Sequence, residues 1–210
     1  MDVAIKVFKG TVTSDGLPVD EMRSCMAAGT HPNLVQLLGR VSHHPEQKAG
    51  LVFAFVPPNY KPLGNPPSLD TCTRDTYSPD TTFPLPVIVQ ITQGIAAAAA
   101  HLHTRGILHG DLYAHNILVS STGESFLGDF GAASFYPYRV SSIARSLEWL
   151  EVRAFGCLLE DLLDRCALDN LNAQTELLDC LRCLQQECVN PNPSMRPLFT
   201  KICDVLATIA

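Results

Sequence analysis

Basic charge, aromatic side chains and long apolar runs are all scarce in this 210-residue sequence, and each scarcity bears on a class of protein. Lys and Arg number 15 against 21 Asp and Glu, a formal net charge of −6, so no overall attraction to nucleic acid or to an anionic membrane is expected. The longest wholly apolar runs, near Leu51–Val56 and Ile95–Ala100, fall far short of the roughly 20 residues a spanning helix needs. The opening Met1-Asp2-Val3-Ala4-Ile5-Lys6 has neither a basic start nor a long apolar stretch behind it, so no secretory signal is expected. Together these absences predict a soluble, cytoplasmic chain with no nucleic-acid and no membrane partner.

What is present suffices for a folded core. Hydrophobic residues make up 46% and charged residues 17%, which excludes a disordered chain. The length suits one domain, or two lobes sharing one site. Eight cysteines (25, 72, 157, 166, 180, 183, 188 and 203) lie mostly in apolar, helix-like segments, where reduced thiols packing as small hydrophobes are expected. Cys180-Leu-Arg-Cys183 is a lone CxxC with no second pair at zinc-site spacing, so no such metal site is expected.

Along the chain, Val3–Phe8 reads as a strand and Pro18–Ala28 as a helix starting near Asp15 or Pro18, with Gly29 just beyond its end. Leu34–Val41 and Gly50–Val56 read as further strands around the polar turn His43-His44-Pro45-Glu46. Residues 57–84 are rich in Pro, Asp, Thr and Asn without a sustained period, which predicts a loop and a lobe boundary. Beyond it, Ile88, Ile91, Ile95, Ala98 and Leu102 recur at helical spacing. Ile117–Val119 and Ser125–Leu127 predict a hairpin, Leu147–Leu163 a helix apolar almost all round, and Thr175–Cys188 and Pro197–Ile209 the last two helices.

Three local patterns carry chemistry. Val3-Ala4-Ile5-Lys6 puts a lysine on a strand, His109-Gly110-Asp111-Leu112-Tyr113-Ala114-His115-Asn116 puts Asp and Asn five apart on a loop, and Gly128-Asp129-Phe130-Gly131 follows the next strand. Singly, each has a plain structural reading: a solvated lysine, an Asx-stabilised loop, an ordinary exit from a strand. Jointly and in this order they resemble the signature set of the eukaryotic-type protein kinase family, VAIK, HRDLxxxxN and DFG. Weaker likenesses support it: Glu21, fifteen residues after Lys6; His31-Pro32-Asn33-Leu34-Val35; Leu51–Val56, with Phe53 as gatekeeper; Val152–Gly156; and Asn192–Pro197.

The resemblance covers nearly the whole chain and implies an α+β, bilobal, protein-kinase-like fold. Its β-rich N-lobe with one helix would be truncated, and its C-lobe mainly helical. It implies a single domain over residues 1–210, with a partial N-lobe and hinge over 1–56 and the C-lobe over 57–210. It implies ATP and Mg²⁺, with a protein as substrate. Lys6 would hold phosphates and Glu21 would fix Lys6. Ala54–Val56 would offer backbone groups to adenine, above all Ala54 and Val56. Asn116 and Asp129 would ligate Mg²⁺, which suits hard oxygens, and Asp111 would be the catalytic residue acting on the acceptor hydroxyl. His109 would be structural, and His115 is expected to face solvent.

The sequence also departs from the family. No GxGxxG turn occurs in it, and Gly110 replaces the usual arginine. Glu151 follows Asp129 by only 22 positions, without an Ala-Pro-Glu between them. Glu151 stands where the family has aspartate, and Glu148 is a stand-in partner for Arg196. Transfer of the γ-phosphate to Ser, Thr or Tyr hydroxyls is the leading reading. A pseudokinase acting as a nucleotide-binding or scaffold module is the alternative. A small-molecule kinase, whose loop is similar to His109-Gly110-Asp111, is the third.

Overall fold

Lys6 and the strands beside it define the smaller part of the fold. In the computed structural model, which describes residues 2–12, 16–72, 74–138, 142–167 and 171–209, with the backbone alone at 142 and 171–174, β1 spans Val3–Val7. Helix α1 (Pro18–Ala28) begins with proline, whose fixed φ suits a first turn, and carries Asp20 and Glu21 where the helix dipole favours acid. It ends at Gly29, which adopts φ +66° as a residue beyond a helix often must. Asp15, the other expected start, lies outside the described residues. Strands β2 (Leu37–Arg40) and β3 (Gly50–Ala54) complete an antiparallel sheet of order β1-β3-β2, with Lys6 opposite Leu51. The expected strand from Leu34 is shorter because Leu34 leaves the sheet to bridge Leu127.

Segment 57–84 is irregular but not untethered. Its ends carry the two-residue strands β4 (Lys61–Pro62) and β5 (Phe83–Pro84), and Asn65 bridges Thr76 between them.

Helix α2 (Leu85–Thr104) is the centre of the larger part. Ile88, Ile91, Ile95, Ala98 and Leu102, the five residues at helical spacing, are all fully buried. By length and composition α2 could cross a membrane, but its apolar residues pack instead against later elements of the chain. After α2 come β6 (Ile107–Leu108), the hairpin of β7 (Ile117–Val119) and β8 (Ser125–Leu127), β9 (Ser134–Phe135), α3 (Ser142–Leu163), β10 (Cys166–Ala167), α4 (Leu171–Cys188) and α5 (Phe199–Thr208), and α2 packs against β6, β8, α3, β10 and α5. Strand β4 pairs with β7 and β5 with β10, while β9 lies against β6.

Helix α3 buries Val152, Phe155, Leu159 and Leu162, yet Ile143 and Leu150 are 64% and 62% exposed, so it is one-sided rather than apolar all round. On α5, Phe199, Ile202 and Leu206 are buried. All eight cysteines are free thiols, and burial pushes those of Cys25 and Cys188 up to about 12, where they are inert at neutral pH. The architecture is a mixed α+β kinase-like fold.

Candidate active site

The cleft between the small sheet and the hairpin is organised by Lys6. Its Nζ lies 2.6 Å from Glu21 Oε1 and 3.1 Å from Asp129 Oδ1, joining β1, α1 and the turn after β8. Burial works against the Lys6 charge, but hydrogen bonds to Glu21 and Asp129 outweigh it and raise its pKa. Burial likewise disfavours the Asp129 carboxylate, and Lys6 with the Gly131 N–H outweighs that and lowers its pKa.

Glu21 is 2% exposed on the buried face of α1, which is fastened at Ser24 and at its C-terminus. The open carbonyls at its C-terminus, Ala27 O and Ala28 O, take Arg105 Nη1 at 3.2 Å and His101 Nε2 at 2.8 Å from α2. Ser24 Oγ donates to Ala133 O, binding α1 to the segment after Asp129.

The loop before β7 supplies the second cluster. Asn116 Nδ2 donates to Asp111 Oδ2 at 2.8 Å and to Asp111 O at 3.0 Å. His109 is wholly buried, with Nε2 on Gly128 O and its ring edge-on to Phe130, so it holds the loop to the Asp129 turn as a structural residue would. Asp129 has φ +48°, a strained value for a non-glycine residue and one that turns its carboxylate toward Lys6. Beneath the loop, Glu151 Oε1 accepts the Gly110 N–H at 2.8 Å while Oε2 pairs with His103 Nε2 at 2.6 Å. Burial opposes the Glu151 charge, but His103, then His109 and the Gly110 N–H, lower its pKa.

Lys6, Glu21, Asn116 and Asp129 line one cavity of about 400 Å³, with Phe53 and Phe130 among its apolar walls. Asp111 touches it through Asn116 and His115. Ala54 and Val56 do not line it; they border a neighbouring cavity beside His31 and Phe126, and the Ala54 N–H is spent on Gln36 O.

Two expectations need correction. His115 does not face solvent: its side chain is 22% exposed, it lines the cavity, and it pairs with the buried Asp75, which no local pattern singled out. Arg196 does not pair with Glu148. It donates to the carbonyls of Trp149 and Asn190, while Glu148 accepts the Tyr136 hydroxyl.

The donor set suits Mg²⁺. Asn116 spends its Nδ2 on Asp111, and Asp129 Oδ1 meets Lys6 and Gly131, which leaves Asn116 Oδ1 and Asp129 Oδ2 as hard oxygens without a hydrogen bond among the described residues. No group of three or more His, Cys, Asp or Glu side chains that could together hold a metal ion occurs among those residues. Mg²⁺ needs none, since it keeps waters and substrate phosphates in its shell.

A paired lysine on a strand, a carboxylate–asparagine loop and a second carboxylate on a strained turn, set between a small sheet and a helical body, define a kinase-like class of fold. Comparison with known proteins makes this specific: residues 1–152 match the family described as protein tyrosine and serine/threonine kinase, and the chain belongs to that family. It is 31% identical over 159 residues to serine/threonine-protein kinase PITSLRE of Drosophila melanogaster, a match covering 75% of this chain and 16% of that protein.

Proposed function

We propose that the chain is an ATP-dependent protein kinase that transfers the γ-phosphate to serine or threonine hydroxyls, with tyrosine as the other acceptor. One observation carries this reading: Lys6 bridges Glu21 and Asp129 in the same cleft in which Asn116 holds Asp111. Lys6 would hold the α- and β-phosphates, its long side chain fixed by Glu21. Asn116 Oδ1 and Asp129 Oδ2 would bind Mg²⁺, which when bound neutralises charge on the phosphates. Asp111 would orient the acceptor hydroxyl and receive its proton as the acceptor oxygen bonds to the γ-phosphorus and the bond from that phosphorus to the bridging oxygen breaks, with ADP leaving.

The test is Mg-ATP binding and phosphoryl transfer to a mixed serine, threonine and tyrosine peptide pool. Asp111→Asn is expected to lower turnover by about two orders of magnitude or more with nucleotide affinity little changed. An unchanged rate would remove Asp111 from the mechanism.

The alternative is a nucleotide-binding scaffold without turnover. It draws support from Gly110, whose backbone leaves no place for the family's regulatory arginine. Binding of Mg-ATP with no transfer to any acceptor would favour it.

A further inference from the structure

Asp75 stands outside the cavity, on the irregular segment between β4 and β5, yet its side chain is 2% exposed. Both of its oxygens are spent on one residue of the catalytic loop. Oδ2 accepts the His115 backbone N–H at 3.0 Å, and Oδ1 pairs with His115 Nδ1 at 2.8 Å. A carboxylate this deeply buried is costly unless it is fully hydrogen-bonded, and here the turn at Ala114–Asn116 satisfies it.

The flanking residues are fastened as well. Arg74 reaches α3 through Glu160 at 2.5 Å and Asp161 at 2.9 Å, and Thr76 exchanges both backbone hydrogen bonds with Asn65. Residues 74–76 therefore form a strap between α3 and the catalytic loop.

The far side of the His115 ring explains what the strap holds. Its Nε2 lies 3.8 Å from Asp111 Oδ2, and the ring stacks on Tyr113 at 5.6 Å. The next residue is Asn116, whose amide holds the same Asp111 oxygen. A shift of His115 thus carries with it both the asparagine oxygen offered to Mg²⁺ and the catalytic carboxylate.

We propose that Asp75 is a positioning residue for phosphoryl transfer, acting through His115 to hold Asp111 and Asn116 in register. The inference rests on the phosphotransferase reading above. Displacing such groups by about 1 Å can lower a rate by about 10²-fold. The larger loss belongs on turnover, because Lys6, Glu21 and Asp129, which would hold the nucleotide phosphates and Mg²⁺ together with Asn116, sit on other elements.

The test compares wild type with Asp75→Ala, His115→Ala, the double variant, His115→Asn and Asp111→Asn. Transfer to the peptide pool and calorimetric Mg-ATP affinity are both measured. Asp75→Ala and His115→Ala are each expected to lower kcat by ~10–100-fold, with a distinctly smaller loss of Mg-ATP affinity from the displaced Asn116 oxygen. The double variant should be no worse than either single one, since the two residues act as one unit. His115→Asn, whose amide nitrogen lies close to the former Nδ1, should recover most of what His115→Ala loses.

If Asp111→Asn is inactive while folded Asp75→Ala and His115→Ala keep kcat within about twofold of wild type, this inference fails and the phosphotransferase reading stands. Fully additive losses in the double variant, or a loss of Mg-ATP affinity equal to the loss of rate, also overturn it. Should Asp75→Ala fail to fold, His115→Ala and His115→Asn decide alone. A wild-type chain that neither binds Mg-ATP nor transfers phosphate removes the phosphotransferase reading first, and this inference with it.

Discussion

Asp129 reaches the cavity on a backbone conformation that few side chains tolerate, and its second oxygen has no hydrogen bond among the described residues. Asp129→Asn or Asn116→Ala is expected to weaken Mg²⁺-dependent nucleotide binding while the fold survives. A thermal-shift titration with ATP at varied magnesium would reveal this; an unchanged magnesium dependence would refute the assignment. Gly110 is restrictive in a different way. Its φ of +79° is left-handed, and a Cβ there would lie 2.5 Å from Ala132 O. Gly110→Ala should therefore cost about 1–2 kcal/mol from the backbone alone, with the clash added, as measured by chemical denaturation. The same crowding keeps out an arginine that could bind a phosphorylated segment through charge-assisted bonds. Phosphatase treatment should accordingly leave any transfer activity intact. Activity lost together with a phosphate mapped between Ser134 and Ser146 would contradict this.

Among the elements, α3 links the catalytic loop to the core through Glu151. Its carboxyl is held below its ordinary pKa of 4.5, so its contribution to stability is present above that value and is lost as the pH falls through the lowered one. Glu151→Ala leaves the Gly110 N–H without its partner and breaks the buried pair with His103, a loss of about 3–5 kcal/mol near neutral pH. The gap between wild type and variant should close as the pH drops below 4.5, as urea denaturation at stepped pH would record. A gap independent of pH would mean that the pair is not what stabilises α3. Little of this link was legible in the sequence: Glu151 was singled out only as standing where the family has aspartate, and its partner His103, 48 positions away, carried no local signal. Lys6, Glu21, Asn116 and Asp129 were legible because short motifs in the right order implied them through the resemblance to the kinase family, and the fold brings those four to one cavity. Asp75 and the Arg196 contacts were not legible. Each joins an irregular segment to a distant backbone group, and composition gives no register for such pairs. The five apolar positions of α2 read correctly because a buried helix face imposes its period on the sequence.

At the scale of the whole molecule, the small sheet is the exposed flank. Strand β1 pairs with β3 alone among the described residues, and Val3 and Ile5 stand 40% and 59% exposed along it. An unpaired strand with apolar side chains offers backbone donors and acceptors to a second chain, and a charged residue on the strand is a usual protection. Lys6 cannot serve, because Glu21 and Asp129 draw its charge inward to the cavity. The 210-residue chain is therefore expected to self-associate through this edge at concentrations where its hydrophobic core remains folded. Val3→Lys should suppress the association without weakening Mg-ATP binding, because Val3 does not line the cavity that Ala4, Ile5 and Lys6 border. Light scattering against concentration, paired with calorimetric titration of Mg-ATP, tests both halves. A wild-type chain that stays monodisperse, or a Val3→Lys chain that associates as before, would show that β1 is not the adhesive edge.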